Sequence, residues 1–266
     1  MVTGASGFIG SRLVLALRAA GVPVVALGLE NTPSERENVQ ALRAAGQTVL
    51  GVTLERPEGE AETAMLEALE RVDVIYHLAA AQHEAEKGEE HFFDVNVAGT
   101  RYLLSKAREA GVRRVVYTSS IGVYEGDGAV IDERSEPAPQ NVYGRSKLEA
   151  ERLVLAEQGR MSTSVIRISE TYGPGDKRLL KLFQAIEKGV FRMIGPGRNR
   201  HHPIYIEDLI EALRLAAVHE RAGGEAFIIA GPEAVTTGEM VAAVSRAVGR
   251  PLPGLRLPLW PFALAA

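Results

Sequence analysis

Cysteine is absent from all 266 residues. That excludes disulfide bridges and thiolate catalysis, and it suits a reducing compartment such as the cytoplasm. Long apolar runs are missing too. Nothing reaches the roughly 18 residues that a membrane span needs, and the N-terminus lacks a charged-then-apolar leader. Neither sign of charge is in large excess: the formal net charge is −4. A chain so balanced presents no basic face to nucleic acid or to a membrane. Its densest basic group, Arg198, Arg200, His201 and His202, is small enough to be the edge of a site. Zinc-ligand spacing is also lacking. Of six histidines only His201 and His202 are close, and adjacent residues rarely share a face, so no metal is expected.

What is present is a globular composition, 46% hydrophobic and 24% charged. The first two-thirds alternates short β-branched runs with helical patterns, the mark of βαβ units. Strands are expected at Val22–Gly28, Thr48–Val52, Val72–Leu78, Arg114–Ser119 and Ser164–Ile168. Helices are expected at Ile9–Ala20, Ser34–Ala45, Glu60–Glu70, Glu90–Ala110 and Val142–Glu157. Two further strands, Ile204–Ile206 and Ala226–Ile229, are expected to return to the main sheet. The fold class is therefore α/β, a Rossmann-type doubly wound, mostly parallel sheet with a small discontinuous C-terminal substrate lobe. The dinucleotide domain takes residues 1–168 with strands returning near 204–230, and the lobe takes most of 169–266. Both ends are short of the pattern. Only Met1, Val2 and Thr3 precede Gly4, and the apolar stretch Leu255–Ala266 lacks a cover, so a trimmed chain with a weakened central strand is expected.

Thr3-Gly4-Ala5-Ser6-Gly7-Phe8-Ile9-Gly10 lies between that first strand and an amphipathic helix. Glycines there permit a tight turn, close backbone approach to a pyrophosphate and close helix–sheet packing. The helix N-terminus adds unpaired N–H groups and a positive dipole end. An acid is expected about 20 residues on, to hold the adenosine ribose. Gly28 stands at the strand end and Glu30 two residues later, with no basic residue before Arg36. Glycine there would admit the 2′-phosphate of NADP, but nothing binds it, so NAD is favoured and NADP is the alternative.

Tyr143 and Lys147 are four apart at the start of a helix and share a face. A nearby ammonium is expected to lower the phenol's pKa and make it a general base. Thr118-Ser119-Ser120 ends the preceding strand, where Ser120 can hold a substrate oxygen against Tyr143. Ser120, Tyr143 and Lys147 together suit proton abstraction coupled to hydride transfer.

With these residues in view the chain resembles the extended short-chain dehydrogenase/reductase family, in its NAD-dependent epimerase/dehydratase branch. The matching segments are Thr3–Gly10, His77–Ala80, Asn96–Thr100, Thr118–Tyr124, Tyr143–Lys147, Tyr172–Asp176 and Tyr205–Leu209. The resemblance implies that Gly4, Gly7, Phe8, Ile9 and Gly10 meet the pyrophosphate and that Leu78, Ala79 and Ala80 line the adenosine side. It implies further cofactor contacts from Asn96 and Thr118, a Lys147 bond to the nicotinamide ribose, and a homodimer paired through the helices Glu90–Ala110 and Val142–Glu157. Ser120, Glu170, Arg200 and His201 would face the substrate.

Departures from the family pattern bear on that substrate. Val52 replaces an Asp that contacts adenine, Glu170 an Asn, and His201 an Arg for substrate phosphates, with Arg198 or Arg200 as stand-ins. Ile121, Gly122 and Val123 follow Ser120 where the sugar 4,6-dehydratases carry an Asp-Glu pair. The leading expectation is an epimerase of a nucleotide-activated sugar. The alternative is a dehydrogenase or reductase of a less polar, sterol-like or flavonoid-like alcohol. A third reading, a non-catalytic dinucleotide-binding regulator, has Ser120, Tyr143 and Lys147 against it.

Overall fold

The computed structural model describes residues 1–82, 87–124, 130–252 and 256–258, so most of the apolar stretch from Leu255 on lies outside the described residues. The chain opens as β1 (Val2–Thr3), α1 (Phe8–Ala19), β2 (Ala26–Leu27), α2 (Pro33–Ala44), β3 (Val49–Leu50), α3 (Gly59–Leu69) and β4 (Val74–His77). Next come α4 (Gly88–Phe93), a π-turn (Asp94–Ala98), α5 (Gly99–Glu109), β5 (Arg114–Ser120), a 3-10 turn (Ile121–Val123), α6 (Val142–Ala156) and β6 (Ser162–Ile168). The remainder runs β7 (Thr171–Tyr172), α7 (Lys177–Glu187), β8 (Met193–Ile194), β9 (Arg200–His201) and β10 (Ile204–Tyr205). It ends with α8 (Ile206–Val218), β11 (Glu225–Ile229), β12 (Val235–Thr236), α9 (Thr237–Ala247) and β13 (Arg256–Leu257).

Met1–Ile168 and Glu207–Ile229 form one compact unit, and the described parts of Ser169–Ile206 and Ala230–Ala266 form another. In the first unit seven parallel strands stand in the order β11-β6-β5-β4-β1-β2-β3. The order reverses between β1 and β4, and such a switch point leaves a crevice at the carboxyl ends of the strands. Short as it is, β1 is paired on both sides, Val2 with Ala26 and with Tyr76. Packed on the sheet are Leu69, Ile75, Leu103, Val115 and Val154, each buried. Burying each such side chain contributes about 1.5–3 kcal/mol. In the second unit Ile186, Val241 and Val244 form the core, joining α7 to α9.

Three differences from the sequence reading have local causes. β2 is two residues long rather than seven, because Pro23 lacks an N–H and the Gln47 amide takes the Val24 carbonyl at 3.1 Å. The helix expected at Glu90–Ala110 carries the π-turn Asp94–Ala98 within it. The third is a correction. Ile204–Tyr205 does not join the main sheet but pairs with Thr171–Tyr172 in a separate two-stranded ribbon. β11 holds the edge beside β6, pairing over Glu225–Ile229. Among the described residues no helix is long and apolar enough to cross a membrane.

Candidate active site

Thr3 ties the ends of β1 and β4 together. Its hydroxyl lies 2.7 Å from His77 Nδ1 and accepts from the N–H groups of Leu78 and Ala79, both at 3.1 Å. His77 Nε2 lies 2.9 Å from Thr100 Oγ1, which donates its own proton to the Asn96 carbonyl at 2.6 Å. The imidazole proton must therefore sit on Nε2, and Thr3 donates to Nδ1. Burial, helped by the charge of Lys147, holds the His77 pKa down to about 3, so the ring is neutral.

The glycine loop is packed onto that base. Gly4 sits at φ 66°, and a Cβ on it would lie 2.7 Å from Ala79 N. A Cβ on Gly10 would lie 2.1 Å from Gly4 O. Both contacts are backbone against backbone, so neither position has room for a side chain. Gly7 begins α1 without a side-chain cap, and the first turn holds no acidic residue. An uncapped, uncharged helix start is suited to an anion. Gly4 and Gly7 with Leu78, Ala79 and Ala80 line a cavity of about 290 Å³. Phe8 and Ile9, the first helical residues, are half-buried.

On the β2 side the sequence reading needs correcting twice. A Cβ on Gly28 would meet Ser6 N at 2.8 Å and Ser6 Oγ at 2.9 Å. Gly28 is thus a packing requirement of the loop, whatever its bearing on the cofactor. Glu30 does not line the cavity: its carboxylate pairs with Arg43 at 2.7 Å, both side chains well exposed. Asn31, Thr32, Glu35, Val52 and Glu55 line it instead. Thr32 and Glu35 form a capping box for α2, with Thr32 N donating to Glu35 at 2.8 Å. The Thr-x-x-Glu spacing was legible in the sequence and would have located this wall.

Chemistry-bearing groups gather at the end of β5. Asn141 caps α6 by accepting from Gly144 N at 2.8 Å. A Cβ on Gly144 would stand 2.2 Å from Gly122 O, so α6 presses onto the 3-10 turn that follows Ser120. A Cβ placed on Gly122 would stand 3.3 Å from Ser120 Oγ and 4.0 Å from Tyr143 Cδ1, so the two side chains flank one glycine. Ser120 Oγ accepts from Gly122 N at 3.1 Å, which leaves its own proton to be donated. Lys147, one turn beyond Tyr143, is 2% exposed, with Nζ 4.2 Å above the Tyr117 ring. Among the described residues it makes no hydrogen bond or ion pair.

The expected lowering of the Tyr143 pKa is overturned. Burial pushes the phenol up to about 12, against the pull of the Ser120 hydroxyl. Burial also draws Lys147 down from 10.5 to about 7, against Glu151, which raises it. Desolvation disfavours both charged forms, and here it outweighs the Ser120 bond at Tyr143 and the Glu151 charge at Lys147.

Two residues expected at the cofactor also hold the framework together. Thr118 donates its hydroxyl proton to the His77 carbonyl at 3.1 Å. Asn96, buried in the π-turn, accepts from Ala81 N at 2.8 Å and donates to Ala81 O at 3.1 Å and Ser146 Oγ at 2.9 Å. Ser146 in turn donates to the Tyr143 carbonyl at 2.8 Å, so Asn96 braces the helix that carries Tyr143. A π-turn inserts one extra residue and often marks a functional position.

In the second unit, Glu170 and His201 form one pair, with Nδ1 2.9 Å from the carboxylate. His201 Nε2 is 2.8 Å from Thr237 Oγ1. Arg200 is exposed on β9, in register with Thr236 of β12. The two departures singled out in the sequence are thus a single coupled feature. Among the described residues no group of three or more His, Asp or Glu is placed to hold a metal ion.

A parallel sheet with a switch-point glycine cradle and a Ser–Tyr–Lys cluster at the next strand end defines a dinucleotide-dependent enzyme of the Rossmann class. The chain belongs to the NAD dependent epimerase/dehydratase family, whose model matches residues 1–230. It is 29% identical to a UDP-glucose 4-epimerase of Vibrio cholerae, over 99% of this chain and 80% of that one. It is 33% identical to a 3 beta-hydroxysteroid dehydrogenase/Delta 5-->4-isomerase of Mycobacterium tuberculosis, over 97% of this chain and 71% of that one. Among solved structures it resembles the Thermus thermophilus UDP-glucose 4-epimerase in complex with NAD. There the identity is 25%, the TM-score 0.79, and the match covers 97% of this chain and 85% of that one.

Proposed function

We propose that the protein is an epimerase that inverts carbon 4 of a nucleotide-activated sugar, with NAD as its cofactor. The observation that carries the reading is the meeting of Ser120 and Tyr143 around Gly122, with the buried Lys147 one turn on. Gly4, Gly7, Phe8, Ile9 and Gly10 would hold the pyrophosphate, Leu78, Ala79 and Ala80 the adenosine, and Lys147 the nicotinamide ribose. A cradle that admits no Cβ at Gly4 or Gly10 and a buried ammonium set over the Tyr117 ring both fit such a group. When bound, NAD supplies the hydride acceptor and donor.

The rest falls to this chain's own side chains. Ser120 donates to the substrate oxygen and holds it against the Tyr143 hydroxyl. Tyr143 takes the hydroxyl proton and later returns one. Lys147, charged, stabilises the phenolate form in which Tyr143 accepts that proton. Taken by itself, the second unit carries an exposed cation, Arg200, of the kind that meets a phosphate, and a Glu170–His201 pair of the kind that meets sugar hydroxyls. The reading includes a cytoplasmic homodimer paired through α4–α5 and α6.

One observation favours oxidation of a less polar alcohol instead. The Glu170 carboxylate is 48% exposed and repels a diphosphate. Epimerisation is redox-neutral over a turnover and alcohol oxidation is not, which separates the two. Denatured protein is expected to release NAD(H) at less than one equivalent, with little NADP(H). UDP-glucose is expected to convert to its 4-epimer without accumulation of NADH. Absence of bound dinucleotide, with steady NADH formation from a hydrophobic alcohol, would establish the dehydrogenase.

The Glu30–Arg43 pair gives a second check. An exposed ion pair is worth about 0–1 kcal/mol, and neither of its residues lines the cavity. Glu30→Gln is expected to leave the NAD dissociation constant within about twofold in a calorimetric titration. A tenfold weakening would return Glu30 to the adenosine ribose.

A further inference from the structure

Behind the Ser–Tyr–Lys cluster lies a second buried charge group that the proposed chemistry does not use. Tyr143, Lys147 and Glu151 follow one another at four-residue intervals, in one stripe along α6. Arg167 of β6 grips the Glu151 carboxylate through Nε at 3.1 Å and Nη2 at 2.8 Å. Arg167 also donates through Nη1 to the Tyr124 hydroxyl, and Tyr124 donates onward to the Asp132 carbonyl at 3.2 Å. Glu151 is 1%, Lys147 2% and Arg167 6% exposed. A carboxylate this deep, held by a two-point guanidinium, has one orientation and no water to screen it.

We propose that Glu151, held by Arg167 and Tyr124, is the positioning residue that keeps Lys147 charged beneath Tyr143. The charge count explains why one is needed. Lys147 and Arg167 are two buried cations against the single buried anion of Glu151. Without Glu151 the cheaper state of the pair is neutral lysine with neutral phenol. With it, Lys147 holds its proton more tightly, and the surplus positive charge is met when Tyr143 gives up its own. Among the described residues it is the Glu151 charge that raises the Lys147 pKa, opposing the burial that lowers it to about 7.

The neighbours of Lys147 do not supply the same field. From β4 it faces His77, neutral, and from β5 the ring of Tyr117, whose pKa burial raises well above 10. The 3-10 turn Ile121–Val123 brings no charge, and the π-turn brings Asp94, half-buried. On the other helices packed against α6, Glu89 of α4 bonds Arg145, and Arg108 of α5 bonds Glu157.

The proposal rests on Tyr143 and Lys147 acting as described above, but its test needs no substrate. The Lys147 side chain is titrated by NMR in the isotope-labelled full chain, with its resonance assigned by loss in Lys147→Arg. In Glu151→Gln the titration midpoint is expected to fall by about one pH unit or more, the scale of a lost neighbouring charge. The alkaline limb of the kcat profile should move down with it. Glu151→Gln also strands the Arg167 guanidinium, so Glu151→Gln with Arg167→Met is measured beside it. That double variant, free of the stranded charge, is expected to fold and still to show the lowered midpoint. A double variant that melts like the parent and titrates Lys147 at the parent's midpoint would make the pair a structural brace and overturn the proposal. Failure of the sugar reading would leave these midpoints unmoved, so the two can be told apart.

Discussion

Tyr143→Phe is expected to lower kcat by roughly two to four orders of magnitude, the range for losing a general acid–base group. The folded state should barely notice. Phenylalanine keeps the ring that stands beside Gly122, and the hydroxyl's neighbour Ser120 retains its own bond to Gly122 N at 3.1 Å. The hydroxyl is itself a difficult base, since burial holds it near 12. Its removal therefore deletes a group whose value lies in the reaction rather than in packing. Steady-state turnover of the nucleotide sugar, with thermal unfolding as control, decides the matter. A variant within about tenfold of the parent rate would remove Tyr143 from the proton transfer.

Gly10→Ala should abolish useful cofactor binding with a change of one methyl group. The new Cβ would lie 2.1 Å from Gly4 O and 2.8 Å from Gly4 C, both backbone atoms of the loop. No flexible side chain stands in the way to move aside, so α1 and the loop must separate. Such overpacking costs typically about 1–3 kcal/mol of stability. Opening the cradle is expected to weaken NAD binding by at least about a hundredfold, which corresponds to about 2.7 kcal/mol. Gly21→Ala is the control. Gly21 sits at φ 75° with nothing within 4 Å of its Cβ position, so alanine there costs roughly 1–2 kcal/mol of backbone strain. That variant should melt lower and bind NAD normally. Equal NAD affinity in the two variants would mean that the cradle does not hold the pyrophosphate.

Much of this site could be read from the chain. The loop Thr3–Gly10, the Tyr143–Lys147 spacing and the strand-end Ser120 are local patterns, and the structure brings Ser120 and Tyr143 around one glycine, Gly122. Local periodicity was enough because a helix puts residues four apart on one face whatever surrounds it. Glu151 was missed although it continues the same spacing, since a fourth-residue acid on a helix is usually a solvated one. Only its pairing with Arg167, sixteen residues away, reveals it.

What the sequence by itself determined was the order of strands and helices over the first two-thirds, the glycine loop and the residue types offered for chemistry. All of these follow from short-range sterics and periodicity. The tertiary structure alone decided what those residues do there. Gly28 answers to Ser6, Glu30 to Arg43, Glu170 to His201, and Ile204 to Thr171, each a partner remote along the chain. It also decided the sign of the shift at Tyr143, because desolvation is summed over every neighbour that excludes water and no single spacing encodes it.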